Sequence, residues 1–342
     1  MPFRLGERPR IRHEDARDEP AVDPKSERIV NSNISVIIPS YNAEHYIGEA
    51  LDSVLGQTRQ AAEIIVVDDA SADRTIEIAR SCSPKVRVIA NSTNAGPGAR
   101  RNQGGRAAIG DSLAFLDADD RWETTHLADM AGLLDHHPEA GFAFCRVRMI
   151  GGKTGIWPES TLCSNEPRFL LTDLLRANRV HCSSALVRRT AFEEVGGFDE
   201  SAVFHRGRRV QAEDYDFFLR LSRKWKVIAS ETPSADYRWH PGQSSAVSTP
   251  QVVLAYEYRL KLLDQMRREG ALEADLAMAA DRVRMCWEEN LEGFWSCREM
   301  TGVRLMVGLS LKRHAFLSST FPYILKALCP DPVARRLGRG RS

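Results

Sequence analysis

The segment Leu113-Ala-Phe-Leu-Asp-Ala-Asp-Asp120 runs an apolar strand straight into Asp117, Asp119 and Asp120. Successive side chains of a strand point to opposite faces, so Asp117 and Asp119 share a side. Two carboxylates placed together repel each other unless a cation sits between them. Hard oxygen ligands at a strand end suit Mg²⁺ or Mn²⁺, which can then bridge to a diphosphate. Taken alone, the same residues equally suit a charged turn capping the next helix. Two more apolar runs end in groups able to hold a ligand, Pro39-Ser-Tyr-Asn42 and Asp68-Asp69-Ala-Ser71. Core strands usually run into arbitrary loops, so this clustering is informative in itself.

The elements that must position these groups alternate. Ile34–Ile38 is a short β-branched run ended by Pro39, and Tyr46, Ile47, Ala50, Leu51, Val54 and Leu55 recur at helical spacing. Glu63–Val67 reads as a second strand and Arg74–Arg80 as a helix capped by Ser71 or Asp73. Val86–Ala90 is a third strand. Pro97–Ala108 is a helix with proline in its first turn, where the missing N–H costs nothing. Ser112–Leu116 is a fourth strand. Such alternation is the pattern of an α/β fold with an open, mostly parallel sheet flanked by helices, and ligands in such sheets bind beyond the carboxyl ends of the strands. Further on, Gly141–Arg146 and Ser183–Val187 read as strands, Phe169–Ala177 and Glu213–Arg223 as helices, and Val227–Ala229 as a last short strand. Val253–Arg268 and Glu273–Trp295 read as long amphipathic helices, and Leu305–Leu328 continues the helical pattern.

The expected organisation is therefore a loosely packed arm over 1–32, an α/β domain over 33–248 in two halves, 33–120 and 121–248, a helical extension over 249–330 and a basic tail over 331–342. Hydrophobic residues make up 43% and charged residues 27% of the 342, which is ordinary for a globular protein. A net charge of +1 provides no global field toward nucleic acid. The odd count of 7 cysteines, without C-x-x-C spacing, argues against a disulfide framework or a zinc site and fits a reducing cytoplasm. No run reaches the ~20 apolar residues that span a bilayer.

Several segments carry a resemblance. Ile34-Ser-Val-Ile-Ile-Pro-Ser-Tyr-Asn42, Val66-Val-Asp-Asp-Ala-Ser71, Asn94-Ala-Gly-Pro-Gly-Ala-Arg-Arg-Asn102 and Phe115-Leu-Asp-Ala-Asp-Asp120 resemble, in order, the donor-side motifs of family 2 glycosyltransferases, the last of them the D-x-D segment. Val195-Gly-Gly-Phe-Asp199, Glu213-Asp-Tyr-Asp-Phe-Phe-Leu-Arg-Leu221 and Tyr237-Arg-Trp-His-Pro-Gly-Gln-Ser-Ser245 resemble the acceptor half and closing motif. Each motif is weak alone, whereas the ordered set over about 34–248 is specific. The resemblance implies a GT-A fold and an inverting transfer from a nucleotide-diphospho-sugar, a UDP-sugar by preference, with Mn²⁺ or Mg²⁺ as cofactor.

It also implies roles. Pro39, Tyr41, Asn42, Asp68, Asp69, Asn94, Gly96, Arg101 and Asp117 fall on the nucleotide side. Asp69 is preferred for direct contact, since a carboxylate accepts from a uracil N–H or a ribose hydroxyl. The N-terminus of the Pro97 helix offers unpaired N–H groups to an anion. Asp119 is the expected metal ligand, with His240 closing the site. Asp214 is the expected general base and Glu213 the lesser candidate, although acids in a first turn also simply suit the helix dipole. Gly197 and Phe198 belong beside the acceptor cleft, and Trp239 to its wall or to the core. The acceptor is a glycan or a lipid-linked hydroxyl. Dimerisation through the C-terminal helices, or peripheral contact with the inner membrane face, fits Leu305–Leu328 with Lys312, Arg313 and Lys326. Two rivals remain. A sugar nucleotidyltransferase needs a glycine-rich basic loop near the first strand, where this chain has Pro39-Ser-Tyr-Asn42. A non-catalytic binding module on the same fold would not need every acidic motif.

Overall fold

A computed structural model describes residues 33–162, 166–201, 203–205, 208–240, 243, 248–297, 300–313, 315, 320 and 323. In chain order the elements begin with β1 (Ile34–Ser40), α1 (Ile47–Leu55), β2 (Glu63–Asp68), α2 (Thr75–Cys82), β3 (Val86–Ala90), α3 (Pro97–Ala107) and β4 (Ser112–Phe115). Then come β5 (Arg121–Trp122), α4 (His126–His136), β6 (Ala140–Gly151), β7 (Gly155–Trp157), α5 (Leu171–Arg176), β8 (Ala185–Arg188) and α6 (Arg189–Glu194). β9 (Val203–His205), β10 (Arg208–Val210), α7 (Glu213–Lys224), β11 (Lys226–Trp239), α8 (Ser248–Arg268), α9 (Glu273–Ser296) and α10 (Met300–Arg313) complete the described chain.

The strands order as β3-β2-β1-β4-β8-β6-β11-β5, with β7 on β6. The donor-half strands pair in parallel, while β8 is antiparallel to both β4 and β6. The first three strands end level, with Ser40 opposite Asp68 and Asp68 opposite Ala90. β4 pairs Phe115 with Ile37, so Asp117 leaves the sheet at the same end.

Period-two alternation divides the strand side chains between two cores. Ile37, Ile65, Val67, Leu113 and Phe115 face one, together with α5 through α10. Val36, Ile38, Ile64, Val66 and Ala114 face the other, with α1, α2 and α4. A sheet covered on both faces explains why β1 is buried along its whole length. Tyr256, Trp287 and Val303 of the C-terminal helices belong to the same cluster as Phe217 and Phe144. The helical extension thus shares its core with the α/β part.

Several boundaries differ from the sequence reading. β11 is no short strand at Val227–Ala229: it runs 14 residues to Trp239, with register shifts between Ser230 and Ala235. Pro233 and the polar residues around it hid the continuation, and a bulge is where a strand tolerates proline. Ser183 begins no strand, because Cys182–Ser184 forms a 3₁₀ turn before β8. β5, α4 and β7 had no counterpart in the reading. α2 has no side-chain N-cap: Arg74 occupies that position, and Asp73 instead accepts from the Thr75 N–H at 3.0 Å. Of the helical pattern over 305–328, α10 covers the part to Arg313, and most of the remainder lies outside the described residues, as do the 1–32 arm and the basic tail. No described helix is long and apolar enough to cross a membrane.

Candidate functional site

The level strand ends open into a cavity of about 850 Å³. Its wall includes the turn after β1. There Asn42 takes a φ of +48°, which asparagine tolerates. Its side chain accepts from the Ala72 N–H at 2.9 Å, while its own N–H donates to Ser71 Oγ at 2.9 Å. Pro39 and Asn42 line the cavity beside Tyr41, whose side chain is 53% exposed.

Asp69 lines the cavity as well, but it is not a free carboxylate. It accepts from the Ala95 and Gly96 N–H groups at 2.7 and 2.8 Å and from Arg100 Nε at 2.6 Å. The two amides that lead into α3 are thus already taken by an anion of the protein. Asn94 donates to the Asp69 carbonyl at 3.3 Å. Asp68 lies behind the wall, accepting from Ser71 and Ser40 hydroxyls at 2.5 and 3.2 Å, and so fixes the loop rather than the ligand.

Arg101 is the hub of the site. Its guanidinium donates to Asp117 Oδ1 at 2.6 Å and to Glu213 Oε1 at 2.8 Å. Glu213 gets this close because position 98 is glycine: a Cβ there would lie 2.8 Å from Glu213 Cγ. Burial works against the Asp117 charge, but the Arg101 charge, the His181 ring and the Arg101 hydrogen bond together outweigh it, holding this carboxyl below the usual range. Asp214, next to Glu213 and on the cavity wall, lacks such a partner. Burial, then the Glu213 charge, pushes it up to about 7.

Asp119 Oδ2 lies 3.0 Å from His240 Nε2. Burial, then the Asp117 charge, raises the Asp119 carboxyl. His240 is set by β11: its ring packs on Tyr46 at 4.9 Å, and its N–H donates to Gln243 Oε1 at 2.6 Å. A carboxylate, an imidazole and a second carboxylate on one wall form a mixed oxygen and nitrogen donor set fitting a hard divalent cation. A second grouping is present, in which ligand atoms of Asp117, Asp120 and His181 lie within 4.8 Å of one another. Asp120 is committed elsewhere, accepting from Ser183 Oγ at 2.6 Å and from the Arg238 N–H at 2.8 Å, and it does not line the cavity. Asp119 and His240 line the cavity, as do Asp117 and His181 of the second grouping.

Gly197, Phe198 and Trp239 do not line the cavity. Gly197 has a φ of +70° and sits against Asn102, where a Cβ would lie 2.3 Å from Oδ1. Phe198 is buried, stacks on Phe217 at 4.1 Å and carries Arg101 over its ring at 5.3 Å. Phe198 thus backs the arginine, and Gly197 packs against Asn102 of the same helix. Trp239 packs under Lys153 at 4.7 Å. Sequence reasoning missed the cavity residues of the C-terminal helices, Tyr256, Arg259 and Asn290 among them. Their helical periodicity marked them only as a packed face. It also missed His181, which has no motif around it.

The family model described as glycosyl transferase family 2 matches residues 35–196. A protein of Haemophilus influenzae described as an uncharacterized glycosyltransferase is 32% identical over 200 residues, covering 56% of this chain and 73% of its own. Among solved structures, TarS 1–349 of S. aureus in complex with UDP-GlcNAc superposes with TM-score 0.65 at 21% identity, over 90% of this chain and 93% of that one. The mannosyltransferase PcManGT from Pyrobaculum calidifontis, in complex with GDP-Man and Mn²⁺, superposes with TM-score 0.54 at 17% identity, over 90% and 83%. These likenesses are of fold, and the fold is the GT-A arrangement expected from the motifs.

Proposed function

The chain belongs to glycosyl transferase family 2, and from that premise we propose that it moves a sugar from a UDP-sugar to an acceptor hydroxyl, inverting the anomeric centre with a divalent cation bound. The observation that carries this reading is the gathering of Asp69, Arg101, Asp117, Asp119, His240 and Asp214 on one cavity wall.

The nucleotide end is the turn after β1 with Tyr41, Asn42 and Asp69. A carboxylate has about four lone-pair positions, of which the Ala95 and Gly96 amides and Arg100 take three, leaving Asp69 one for the uracil N–H. Asp117, kept ionised by Arg101, faces the ribose. Asp119, His240 and Asp117 would hold the cation, and Mn²⁺ suits the imidazole better than Mg²⁺ does. When bound, the cation supplies Lewis-acid neutralisation of the departing diphosphate.

Asp214 is the general base. The acceptor oxygen forms its bond to the anomeric carbon while the bond from that carbon to the diphosphate oxygen breaks. The acceptor hydroxyl proton passes to Asp214, and UDP leaves with the electron pair. A base held near pH 7 is matched to this task, contributing roughly 10²–10⁴-fold. Glu213 is bound to Arg101 and serves to hold that arginine while raising its neighbour. Acceptors that fit this chemistry are hydroxyls of glycans or lipid-linked glycans.

Incubating the purified protein with a panel of nucleotide-sugars and Mn²⁺ tests the reading. A UDP-sugar should be hydrolysed slowly in the absence of acceptor, and Asp119→Ala should abolish that turnover. Absence of both UDP-sugar binding and hydrolysis would overturn it.

A further inference from the structure

Part of the cavity wall comes from α8 and α9, and there one charge is unmatched. Three arginines are buried among the described residues: Arg100, Arg101 and Arg259. Arg100 is paired with Asp69, and Arg101 with Asp117 and Glu213. Arg259, 5% exposed, has no ion pair with any described carboxylate, and its Nε has no hydrogen-bond partner. Its guanidinium carbon lies 4.8 Å from the Tyr215 ring centre and 4.6 Å from that of Tyr256. The ionisable groups that bear on it are Tyr215, Cys286 and Tyr256. Burial pushes the Tyr215 phenol up to about 12 and the Tyr256 phenol further, so neither supplies a negative charge near neutrality.

A buried, uncompensated cation is costly, and a protein retains one where a ligand completes it. Apart from its hydrogen bond to Tyr215, Arg259 meets no described polar group, and it lines the cavity together with Tyr215, Tyr256 and Asn290. Arg176 lines the same cavity, with a half-exposed side chain and only a long ion pair to Glu289, at 3.9 Å. Asp214 lines this cavity too, and Tyr215, which follows it on α7, carries the Arg259 guanidinium over its ring. Resting on the function proposed above, we infer that Arg259 receives an anionic group, carboxylate or phosphate, carried by the acceptor beside the hydroxyl that is glycosylated. A planar guanidinium held between two rings is preorganised to take two oxygens side by side. The acceptor class is then an acidic glycan or a phosphate-bearing polyol, and a neutral sugar fits poorly.

The test titrates glycerol 3-phosphate, glycerate and glycerol calorimetrically into the full-length protein already saturated with UDP, so that the donor site is filled. Both anions should bind and glycerol should not. Arg259→Gln should weaken the anions at least about tenfold, and Arg259→Lys, which keeps the charge without the fork, by less. Equal behaviour of glycerol and glycerol 3-phosphate in the unaltered protein overturns the inference, as does unchanged anion affinity in Arg259→Gln. Should that variant not fold, Arg259→Lys decides: at least about a threefold loss supports the inference, and none overturns it. The preceding UDP titration separates the two proposals, since UDP binding without anion binding defeats this one alone, and no UDP binding defeats the donor reading.

Discussion

Arg101 Nη1 lies 2.8 Å from Glu213 Oε1, an ion pair that joins α3 of the donor half to the first turn of α7 across 112 positions of sequence. The same guanidinium holds Asp117 at 2.6 Å. Replacing Arg101 with methionine leaves two carboxylates without their cation in a largely desolvated place. Breaking a buried pair from one side costs roughly 3–5 kcal/mol, and the partial exposure of Asp117 puts the expected loss at the lower end. Denaturant titration should show that loss, with part of it recovered in Arg101→Met/Glu213→Gln. A single variant as stable as the parent would mean that the bridge is not a structural tie.

The rate should follow the ionisation of Asp214. Its carboxyl is held at about 7, and only the ionised form accepts a proton, so kcat/KM should rise with unit slope below pH 7 and level off above it. Asp214→Asn should lose that limb and roughly 10²–10⁴-fold in transfer rate while still binding UDP. A pH profile of transfer in both proteins checks this. A limb that persists in the asparagine variant would assign it to another group.

The same carboxyl carries a stability cost of opposite sense. Its folded value of about 7 lies above the ordinary 3.8, so between these the folded protein binds the proton more tightly than the unfolded chain. Stability contributed by that proton is present below about pH 4 and is lost as pH rises to about 7. Asp214→Asn removes the penalty. Its melting temperature should match the parent near pH 4 and exceed it at pH 8 by about 3 °C or more. A variant less stable than the parent at pH 8 would contradict burial of an unpaired charge.

The first half was legible because β1, β2 and β4 are short, apolar and buried, and each runs into residues that line the cavity. That pattern named Asp117 and Asp119, and Asp68 equally with Asp69, so the choice of Asp69 came from the resemblance. What they touch could not be read: only tertiary structure shows Asp69 taking the amides ahead of α3 or Arg101 spanning two halves of the chain. β11 was read short because Pro233 interrupts its alternation, though beyond the register shift the strand carries on to Trp239, next to His240. The wall from α8 and α9 was hidden for another reason. A helix shows its period whether its inner face meets core or cavity, so Arg259 carried no signal until its missing partner was seen.

Gly197 should matter to stability and not to a ligand contact. An alanine there would have to hold a φ of +70° with its Cβ 2.3 Å from Asn102 Oδ1. Left-handed backbone costs a non-glycine residue roughly 1–2 kcal/mol, and displacing Asn102, which accepts from the Phe198 N–H at 2.8 Å, adds to it. Thermal melting of Gly197→Ala should fall by about 3 °C or more. Unchanged melting with weakened acceptor binding would return Gly197 to the acceptor cleft.

His240 tests which acids hold the cation. Its Nε2 is 3.0 Å from Asp119, and removing the imidazole leaves Asp119 facing Asp117 with one donor fewer. His240→Ala should raise the Mn²⁺ concentration that half-restores UDP-sugar hydrolysis after chelation by ~10-fold or more. Its preference for Mn²⁺ over Mg²⁺ should narrow, because the lost ligand is the nitrogen. His181→Ala is the counterpart, since His181 belongs to the other grouping, with Asp117 and Asp120, and the Asp120 oxygens are already taken by Ser183 and the Arg238 amide. That variant should leave the Mn²⁺ midpoint within about twofold of the parent if the cation sits on the cavity wall. The reverse result, a shifted midpoint in His181→Ala and none in His240→Ala, would move the cation inward to Asp117, Asp120 and His181.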